Sequence, residues 1–389
     1  MHHLTDFVSL AALLVVQWCI WREALAVASR RLSRKGGRVT RVLLLAIYAG
    51  LGLGLLLNLA HMAGKVRMSA RLASVSGGVV YGWLGVSAAS YGLWKIFQFL
   101  SRRIAPPSFD PARRQLMHAA GGALVASPFL VVGYGALVQR TDFHVLERDI
   151  AIPGLPKDLA GLRLLQISDI HLSAFLSESE FARVIDAANQ TRCHLALVTG
   201  DLISSAGDPL DACLRQLARL RVDGGIFGCM GNHERYARVE EYAAEHGARL
   251  GIRFLRQEAA ALRFGGSILN LAGVDYQRSS HRREYLQGAE RLLAPGALNV
   301  LLSHNPDVFP VAARKGYNLM LSGHTHGGQV TVEILDQSIN PARFWTPFVY
   351  GPYAEGAARA YVTRGIGTIG IPVRLGAPPE ITVLRLRKA

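Results

Sequence analysis

The chain has few cysteines, and its first third has few acidic residues. Only 4 cysteines occur among 389 residues, and they lie in or beside apolar runs. This placement favours buried free thiols and excludes a disulfide framework. Residues 1–142 contain 16 lysines and arginines but 4 aspartates and glutamates. Most of the overall charge of +15 therefore lies beside apolar stretches, and it does not indicate a surface that binds nucleic acid.

Long apolar stretches fill this acid-poor part, at about residues 7–21, 42–62, 75–100 and 116–138. The last three are long enough to cross about 30 Å of hydrocarbon. The first is interrupted by Arg22 and Glu23, and it could instead be a signal peptide, although basic residues follow it rather than precede it. Few charges lie inside the stretches, which weighs against an ion path. We predict an α-helical membrane domain of about four spans over residues 1–140.

Basic residues are distributed unevenly among the connections between these stretches. Residues 30–41 and 102–114 are rich in arginine, whereas the connection near residue 65 carries fewer basic residues. Because positive connections stay cytoplasmic, the first and third connections are predicted inside. Both termini would then face outward. The prediction is a multi-pass protein of a bacterial inner membrane whose C-terminal domain is extracytoplasmic.

Five short polar blocks run in order through the second half: SDIHLS, TGDLIS, GNHE, LSHNPD and SGHTHGG. Each follows a short apolar run typical of a buried strand. Segments with helical spacing, residues 180–190 and 210–220, separate the first three blocks. This alternation predicts an α/β domain, in which ligand-binding residues gather at the carboxyl ends of strands. We expect two packed β-sheets flanked by helices over residues 161–389, after a connector at 141–160.

The blocks supply oxygen and imidazole donors suited to a pair of divalent metal ions. These donors are Asp169, His171, Asp201, Asn232, His233, His304, His324 and His326. A pair of metal ions beside a spare histidine is suited to breaking phosphate esters.

The blocks closely resemble the motifs of the calcineurin-like metallophosphoesterase superfamily: D-x-H, G-D, G-N-H-[DE], H and G-H-x-H. The stretch TRGIGTIGIPVRLGAPPEITVL also resembles a branch of membrane-associated phosphohydrolases. The resemblance implies one metal site formed by Asp169, His171 and His326. It implies a second site formed by Asn232, His304 and His324, with Asp201 bridging both metals. Glycines in the blocks, such as Gly231 and Gly323, would let the backbone approach the metals closely.

The resemblance also implies the chemistry. His233 would stabilise the phosphate charge and protonate the leaving oxygen, while a hydroxide held by the metals attacks phosphorus. The two ions would be manganese, iron or zinc, with manganese favoured. One departure is visible, because Ser204 and Ser205 stand where many relatives carry an acid. That change bears on contacts with substrate more than on metal binding.

The leading hypothesis is a membrane-anchored phosphohydrolase that cleaves phosphoester or pyrophosphate bonds. Its expected partners are the lipid bilayer and a phosphorylated substrate, lipid-linked or from the cell envelope, and similarity extends to hydrolases of UDP-2,3-diacylglucosamine. The aromatic segment 341–353 is expected to enter lipid, cover the substrate pocket or pack as an ordinary loop. The alternative function is a non-catalytic metal-binding scaffold or a membrane sensor. The complete ligand set weighs against that alternative.

Overall fold

The computed structural model describes residues 2–31, 33–62, 65–104, 111–334 and 337–389. The chain forms two compact units, Met1–Tyr134 and Gly135–Ala389. The predicted domain limits at residues 140 and 160 remain predictions.

The first unit is helical. Its helices are α1 (His2–Arg31), α2 (Arg34–Met62), α3 (Ala70–Ile104) and most of α4 (Pro111–Leu137). Within the described residues, three stretches are long and apolar enough to cross a membrane, and they lie in or overlap α2, α3 and α4. The fourth predicted span, in α1, is not among them, so the count of four spans is not confirmed.

Polar side chains join α1 to α3 inside this unit. Gln17 donates to the Ser87 hydroxyl at 2.8 Å. Tyr91 donates to the Glu23 carboxylate at 3.0 Å, and Lys95 pairs with the same carboxylate. The residue that interrupts the first apolar stretch is therefore bound to α3, which explains how a charged position is accommodated there.

The second unit is built on strands. They are β1 (His144–Ile152), β2 (Arg163–Ile167), β3 (Leu195–Thr199), β4 (Ile226–Cys229), β5 (Ile252–Phe254), β6 (Glu258–Phe264), β7 (Ser267–Gly273), β8 (Leu298–Leu302), β9 (Leu319–Ser322), β10 (Val332–Ile334), β11 (Gln337–Ile339), β12 (Gly351–Glu355), β13 (Ala358–Val362) and β14 (Glu380–Lys388). In the described part of the chain, one sheet has the order β1-β14-β2-β3-β4-β5 and another β12-β13-β9-β8-β7-β6. Strands β10 and β11 form a separate antiparallel pair.

The two large sheets pack face to face, as predicted. Leu195 and Leu197 of β3 belong to the core between the sheets, whereas Ala196 and Val198 face the core beneath the helices. This alternation follows from the two-residue period of a strand. Both faces of β3 are buried, so its sequence is continuously apolar.

Helices cover the outer faces of both sheets. They are α5 (Glu178–Gln190), α6 (Leu210–Leu217), α7 (Asn232–Ala237), α8 (Glu240–Arg249) and α9 (Phe309–Lys315). Helix α5 begins at a capping box formed by Ser177 and Glu180, and it buries its apolar stripe as the spacing predicts. Helix α6 is shorter than predicted and ends at Leu217, although Leu220 beyond it is also buried.

The five polar blocks lie where strands end. β2, β3 and β4 are mutually parallel, and so are β8 and β9. The loops that leave them are bonded to one another: Asp169 N donates to Gly200 O at 3.0 Å, and Gly323 N donates to His304 O at 3.3 Å. The fold thus gathers the blocks at the carboxyl ends of the strands, the position expected for a ligand site.

Candidate metal centre

Seven of the eight predicted site residues, all except Asn232, meet in one cluster. Their candidate ligand atoms form three overlapping groups, each with atoms within 4.8 Å of one another. The groups are Asp169, His171 and His326; His171, Asp201 and His233; and Asp201, His304 and His324. Asp201 lies with His171 in one group and with His304 and His324 in another, so it has neighbours from both predicted metal sites. Residues of these three groups lie up to 157 positions apart in the sequence.

Most of these residues have left-handed backbone conformations. Positive φ values are uncommon for residues other than glycine and mark positions that the surrounding structure forces. They occur here at Asp169 (50°), His171 (48°), Asp201 (54°), His324 (76°) and His326 (53°). Such strain costs about 1–3 kcal/mol per residue, and its concentration at one cluster indicates a functional site.

Two glycines allow the loops to approach each other. A Cβ on Gly231 would overlap the Asp201 carboxylate, and a Cβ on Gly323 would overlap the Asp169 carboxylate and the Ser168 hydroxyl. The absence of a side chain at these positions therefore lets the GNHE and SGHTHGG loops pack directly on the acids.

Backbone amides orient both acids. His233 N donates to Asp201 Oδ1 at 2.9 Å, and His324 N donates to Asp169 Oδ1 at 2.9 Å. The other Asp201 oxygen, Oδ2, faces His304 Nε2 at 3.0 Å and His171 Nε2 at 3.5 Å. One oxygen of Asp201 is thus fixed by the backbone, and the other points into the cluster.

Hydrogen bonds to backbone carbonyls set the orientation of two imidazoles. His304 Nδ1 lies 2.7 Å from Thr199 O, and His233 Nδ1 lies 2.6 Å from Ser204 O. A carbonyl only accepts, so both Nδ1 atoms carry hydrogen, and the Nε2 atom of each ring is left for another partner. For His304, that Nε2 atom is directed at the cluster, 3.0 Å from Asp201 Oδ2, as in a metal ligand whose second nitrogen is held by a carbonyl.

Burial keeps three of the histidines neutral. It lowers the pKa of His171 and of His324 to about 3, and it lowers the pKa of His326 well below its ordinary value. A neutral imidazole is the form that binds a metal ion. These histidines are therefore ready to act as ligands at neutral pH.

The acids and His304 behave differently. Burial raises the pKa of Asp169 to about 6. Burial also opposes charge on Asp201 and His304, but their mutual attraction prevails and raises the pKa of His304 to about 10 while holding the pKa of Asp201 well below its usual range. The proton on His304 supplies positive charge beside Asp201 that a divalent ion can supply instead.

Asn232 provides the clearest test of whether metal ions fit this site. Its side chain is buried, and its Oδ1 atom has no hydrogen-bond partner in the described residues. An unsatisfied buried carbonyl oxygen costs about 1–3 kcal/mol, which coordination to a cation would offset. With His171 Nε2 only 3.1 Å from His326 Nε2 and His324 Nδ1 3.3 Å from His304 Nε2, the donor set fits divalent ions.

Glu234 and Ser204 have structural roles that the motifs did not reveal. Glu234 is fully buried and accepts hydrogen bonds from the backbone amides of Asp201, Leu202 and Gly231 at 2.7–3.0 Å. It therefore joins the TGDLIS and GNHE loops to each other. Ser204 lies between two imidazoles, since its hydroxyl is 3.2 Å from His171 Nδ1 and its carbonyl accepts from His233.

Two further residues were missed by sequence reasoning. Arg374 is fully buried and donates to the carbonyls of Gly367, Ala377 and Arg364 at distances between 2.5 and 3.0 Å. Gly367 in turn donates to Asp169 O at 2.7 Å. Tyr276 lies with its ring centroid 5.5 Å from that of His324 and 6.0 Å from that of His304. It follows β7, so recognising that strand would have placed it at the same edge of the sheet.

Comparison with known proteins agrees with this geometry. Residues 162–328 match the family described as calcineurin-like phosphoesterase. The metallophosphoesterase YkuE of Bacillus subtilis is 28% identical over 282 residues, which cover 71% of this chain and 98% of that protein. The phosphodiesterase YaeI of Escherichia coli is 26% identical over 278 residues, covering 71% of this chain and 99% of that one.

A relative from zebrafish (Danio rerio) is called a transmembrane protein with metallophosphoesterase domain. It is 29% identical over 280 residues, which cover 69% of this chain but 62% of the relative. The family match falls on the same residues that form the cluster of acids and histidines. Residues 162–328 therefore form a calcineurin-like metallophosphoesterase domain, which indicates a metal-dependent phosphoester hydrolase.

Proposed function

We propose that the protein is a membrane-anchored phosphohydrolase with two metal ions, acting on a lipid-linked or envelope substrate. Asp169, His171 and His326 would hold one ion. Asn232, His304 and His324 would hold the other, and Asp201 would contact both. The observation that carries this proposal is the convergence of the six carboxylate and imidazole ligands, with Asp201 close to His171 of the first set and to His304 and His324 of the second.

A bound pair of divalent ions supplies an activated water and neutralises charge on the phosphoryl oxygens. The residues of the chain position these participants. Backbone bonds to Asp201 Oδ1 and Asp169 Oδ1 keep the acids from rotating, so the ligand positions are set before substrate binds.

His233 is proposed to act on the substrate rather than on the metals. Its side chain is half-buried, and its Nδ1 atom is held by Ser204 O. The Nε2 atom is then the position that can carry a proton toward the leaving oxygen. A positioned imidazole of this kind contributes about 10²–10⁴-fold to rate as a general acid.

Metal removal tests the proposal. We expect the full-length protein in detergent to hydrolyse bis-p-nitrophenyl phosphate and to lose that activity after dialysis against a chelator. Four imidazole ligands with carboxylate and amide oxygens suit manganese, iron and zinc, and we expect manganese to restore the highest rate. A protein that binds the ions but stays inactive with every metal would favour the scaffold or sensor function instead.

The aromatic loop at residues 340–349 supports a lipid-linked substrate. Phe344 is 86% exposed and Trp345 is 70% exposed, and their rings contact each other edge to face. Two adjacent large aromatic side chains facing solvent are unusual unless they meet a partner or a membrane. Tryptophan in particular favours the headgroup level of a bilayer.

This loop is bonded directly to the metal-binding loop. Asn340 Nδ2 donates to Gly327 O at 2.7 Å, and Thr325 Oγ1 donates to Val349 O at 2.6 Å. Thr325 lies between His324 and His326 in the sequence. If Phe344 and Trp345 enter lipid, the loop that carries His324 and His326 would therefore be held near the lipid headgroups.

Replacing Phe344 and Trp345 together by Ser should lower kcat/KM on a phospholipid-linked substrate in vesicles by about tenfold or more. Removing two apolar side chains from lipid costs at least about 1.5–3 kcal/mol each. Hydrolysis of soluble bis-p-nitrophenyl phosphate should stay within twofold of wild type. The matched control is Tyr242→Ser, an exposed aromatic residue on α8. Equal losses on both substrates would reject the lipid role.

The proposed location is a bacterial inner membrane, with the hydrolase domain on the extracytoplasmic side. The charge pattern supports this orientation, because the predicted first and third connections are the most basic. A fluorescent reporter that folds only in the cytoplasm, fused after Ala389, should stay dark; a bright fusion would reverse the orientation.

A further inference from the structure

A polar cavity of about 340 Å³ opens beside the metal centre. Tyr276 forms part of its wall and also contacts the rings of His304 and His324. The cavity therefore borders the cluster, because the Tyr276 side chain contacts both. Its volume lies in the range of small-molecule sites, and it is larger than a single phosphoryl group requires.

Two arginines without partners line this cavity. Arg235 comes two residues after His233 on α7, and Arg278 lies in the loop that follows Tyr276. Within the described residues, neither guanidinium has a carboxylate within 4.0 Å or a hydrogen bond from its side chain. Their neighbour Arg282, by contrast, pairs with Asp307 at 3.4 Å. A guanidinium left unpaired in a polar cavity is available to an anionic ligand.

The other residues that line the cavity are suited to an anionic ligand with a polar head group. Glu284 lines the cavity but already pairs with His281 at 3.4 Å. Gln257 and Gln287 add amides that can both donate and accept. Tyr276 adds a hydroxyl group, which can donate or accept a hydrogen bond. The net charge of the lining is positive, and its surface is rich in hydrogen-bonding groups.

We propose that Arg235 and Arg278 bind a second phosphoryl group of the substrate, while the first lies at the metal centre. Arginine suits this role because its planar fork binds phosphate oxygens in pairs. The substrate class is then a diphosphate with a polar head that occupies the rest of the cavity, rather than a simple monoester. This inference rests on the proposed function, because it extends the same site.

Equilibrium binding tests the subsite without relying on catalysis. Two probes carry the same nucleoside with one or two phosphoryl groups: AMP and the non-hydrolysable α,β-methylene-ADP. We expect full-length, manganese-loaded protein to bind α,β-methylene-ADP at least about tenfold more tightly than AMP, measured by calorimetry. The double variant Arg235→Gln/Arg278→Gln should bring the ratio of the two dissociation constants close to one.

Two further variants make the result specific. Arg283→Gln removes the same charge from the same exposed loop, but Arg283 does not line the cavity; it should leave the ratio unchanged. Arg235→Lys/Arg278→Lys keeps the charge and should restore part of the preference. If the ratio of the two dissociation constants is unchanged in the double Gln variant, or falls equally in Arg283→Gln, Arg235 and Arg278 do not form this subsite.

The outcome separates this inference from the proposed function. If the protein hydrolyses bis-p-nitrophenyl phosphate but its preference for α,β-methylene-ADP over AMP does not depend on the two arginines, the proposed hydrolase function is retained and the subsite is rejected. If binding of α,β-methylene-ADP depends on the two arginines but the protein is inactive on every ester, the subsite is retained and the proposed hydrolase function is rejected. The two glutamine substitutions are at exposed or half-buried positions, so thermal melting should show a folded protein in each case.

Discussion

Asp201→Asn should remove metal binding and hydrolysis together, lowering kcat/KM by at least about a thousandfold, or about 4 kcal/mol of transition-state stabilisation. The carboxylate is fully enclosed, and Oδ2 faces two imidazoles at 3.0 and 3.5 Å. An amide of the same shape keeps the backbone bond from His233 but removes the negative charge that offsets repulsion between two cations. We expect bound manganese to fall from two ions per chain to at most one.

The control for this substitution is Asp211→Asn. Asp211 is an exposed acid on α6 that accepts a hydrogen bond from Tyr242 at 2.8 Å, and its replacement should change neither metal content nor rate. Asp201→Asn protein with two ions and near wild-type kcat/KM would show that this carboxylate does not bridge the metals. Thermal melting separates loss of metal from loss of fold.

His233→Gln should lower kcat by about 10²–10³-fold while both metal ions remain bound. Its Nδ1 atom is occupied by Ser204 O, which leaves one nitrogen for the substrate. The loss should depend on the leaving group. Because His233 protonates the leaving oxygen, an alkyl ester should lose more activity than a p-nitrophenyl ester, whose leaving group departs without a proton.

His144→Gln is the control for that prediction, since His144 is an exposed histidine of the same unit near Asp142. It should have wild-type rates on both esters. Loss of metal ions in His233→Gln would place His233 among the ligands instead. If His233→Gln loses the same factor in kcat on alkyl and p-nitrophenyl esters, His233 does not act as an acid and only stabilises charge.

The convergence of the candidate ligand residues could be predicted from sequence because two local signals coincide. Buried strands such as β3 have continuous apolar runs, and a polar block follows each one. Parallel strands bring their carboxyl ends together, so Asp169 and Asp201 were expected to meet. The capping box at Ser177 and Glu180 likewise marks the start of α5 from four residues alone.

Contacts between distant parts of the chain could not be predicted from local sequence patterns. β14 lies between β1 and β2 although more than 200 residues separate it from either strand. The burial of Arg374 and its bonds to Gly367 depend on that late segment folding back onto Asp169. Strands β5 to β7 were not predicted, and the cavity beside Tyr276 depends on the loop that follows them. The GNHE motif alone did not reveal that Glu234 is buried, and only the fold shows three backbone amides around it.

Seven side chains are proposed to converge on two cations. The most direct test is a crystal of manganese-loaded protein examined by anomalous scattering at the manganese edge. Two anomalous peaks about 3.5–4 Å apart, both in contact with the Asp201 carboxylate, are the expected result. A single peak, or two peaks with His304 and His324 unligated, would contradict the account.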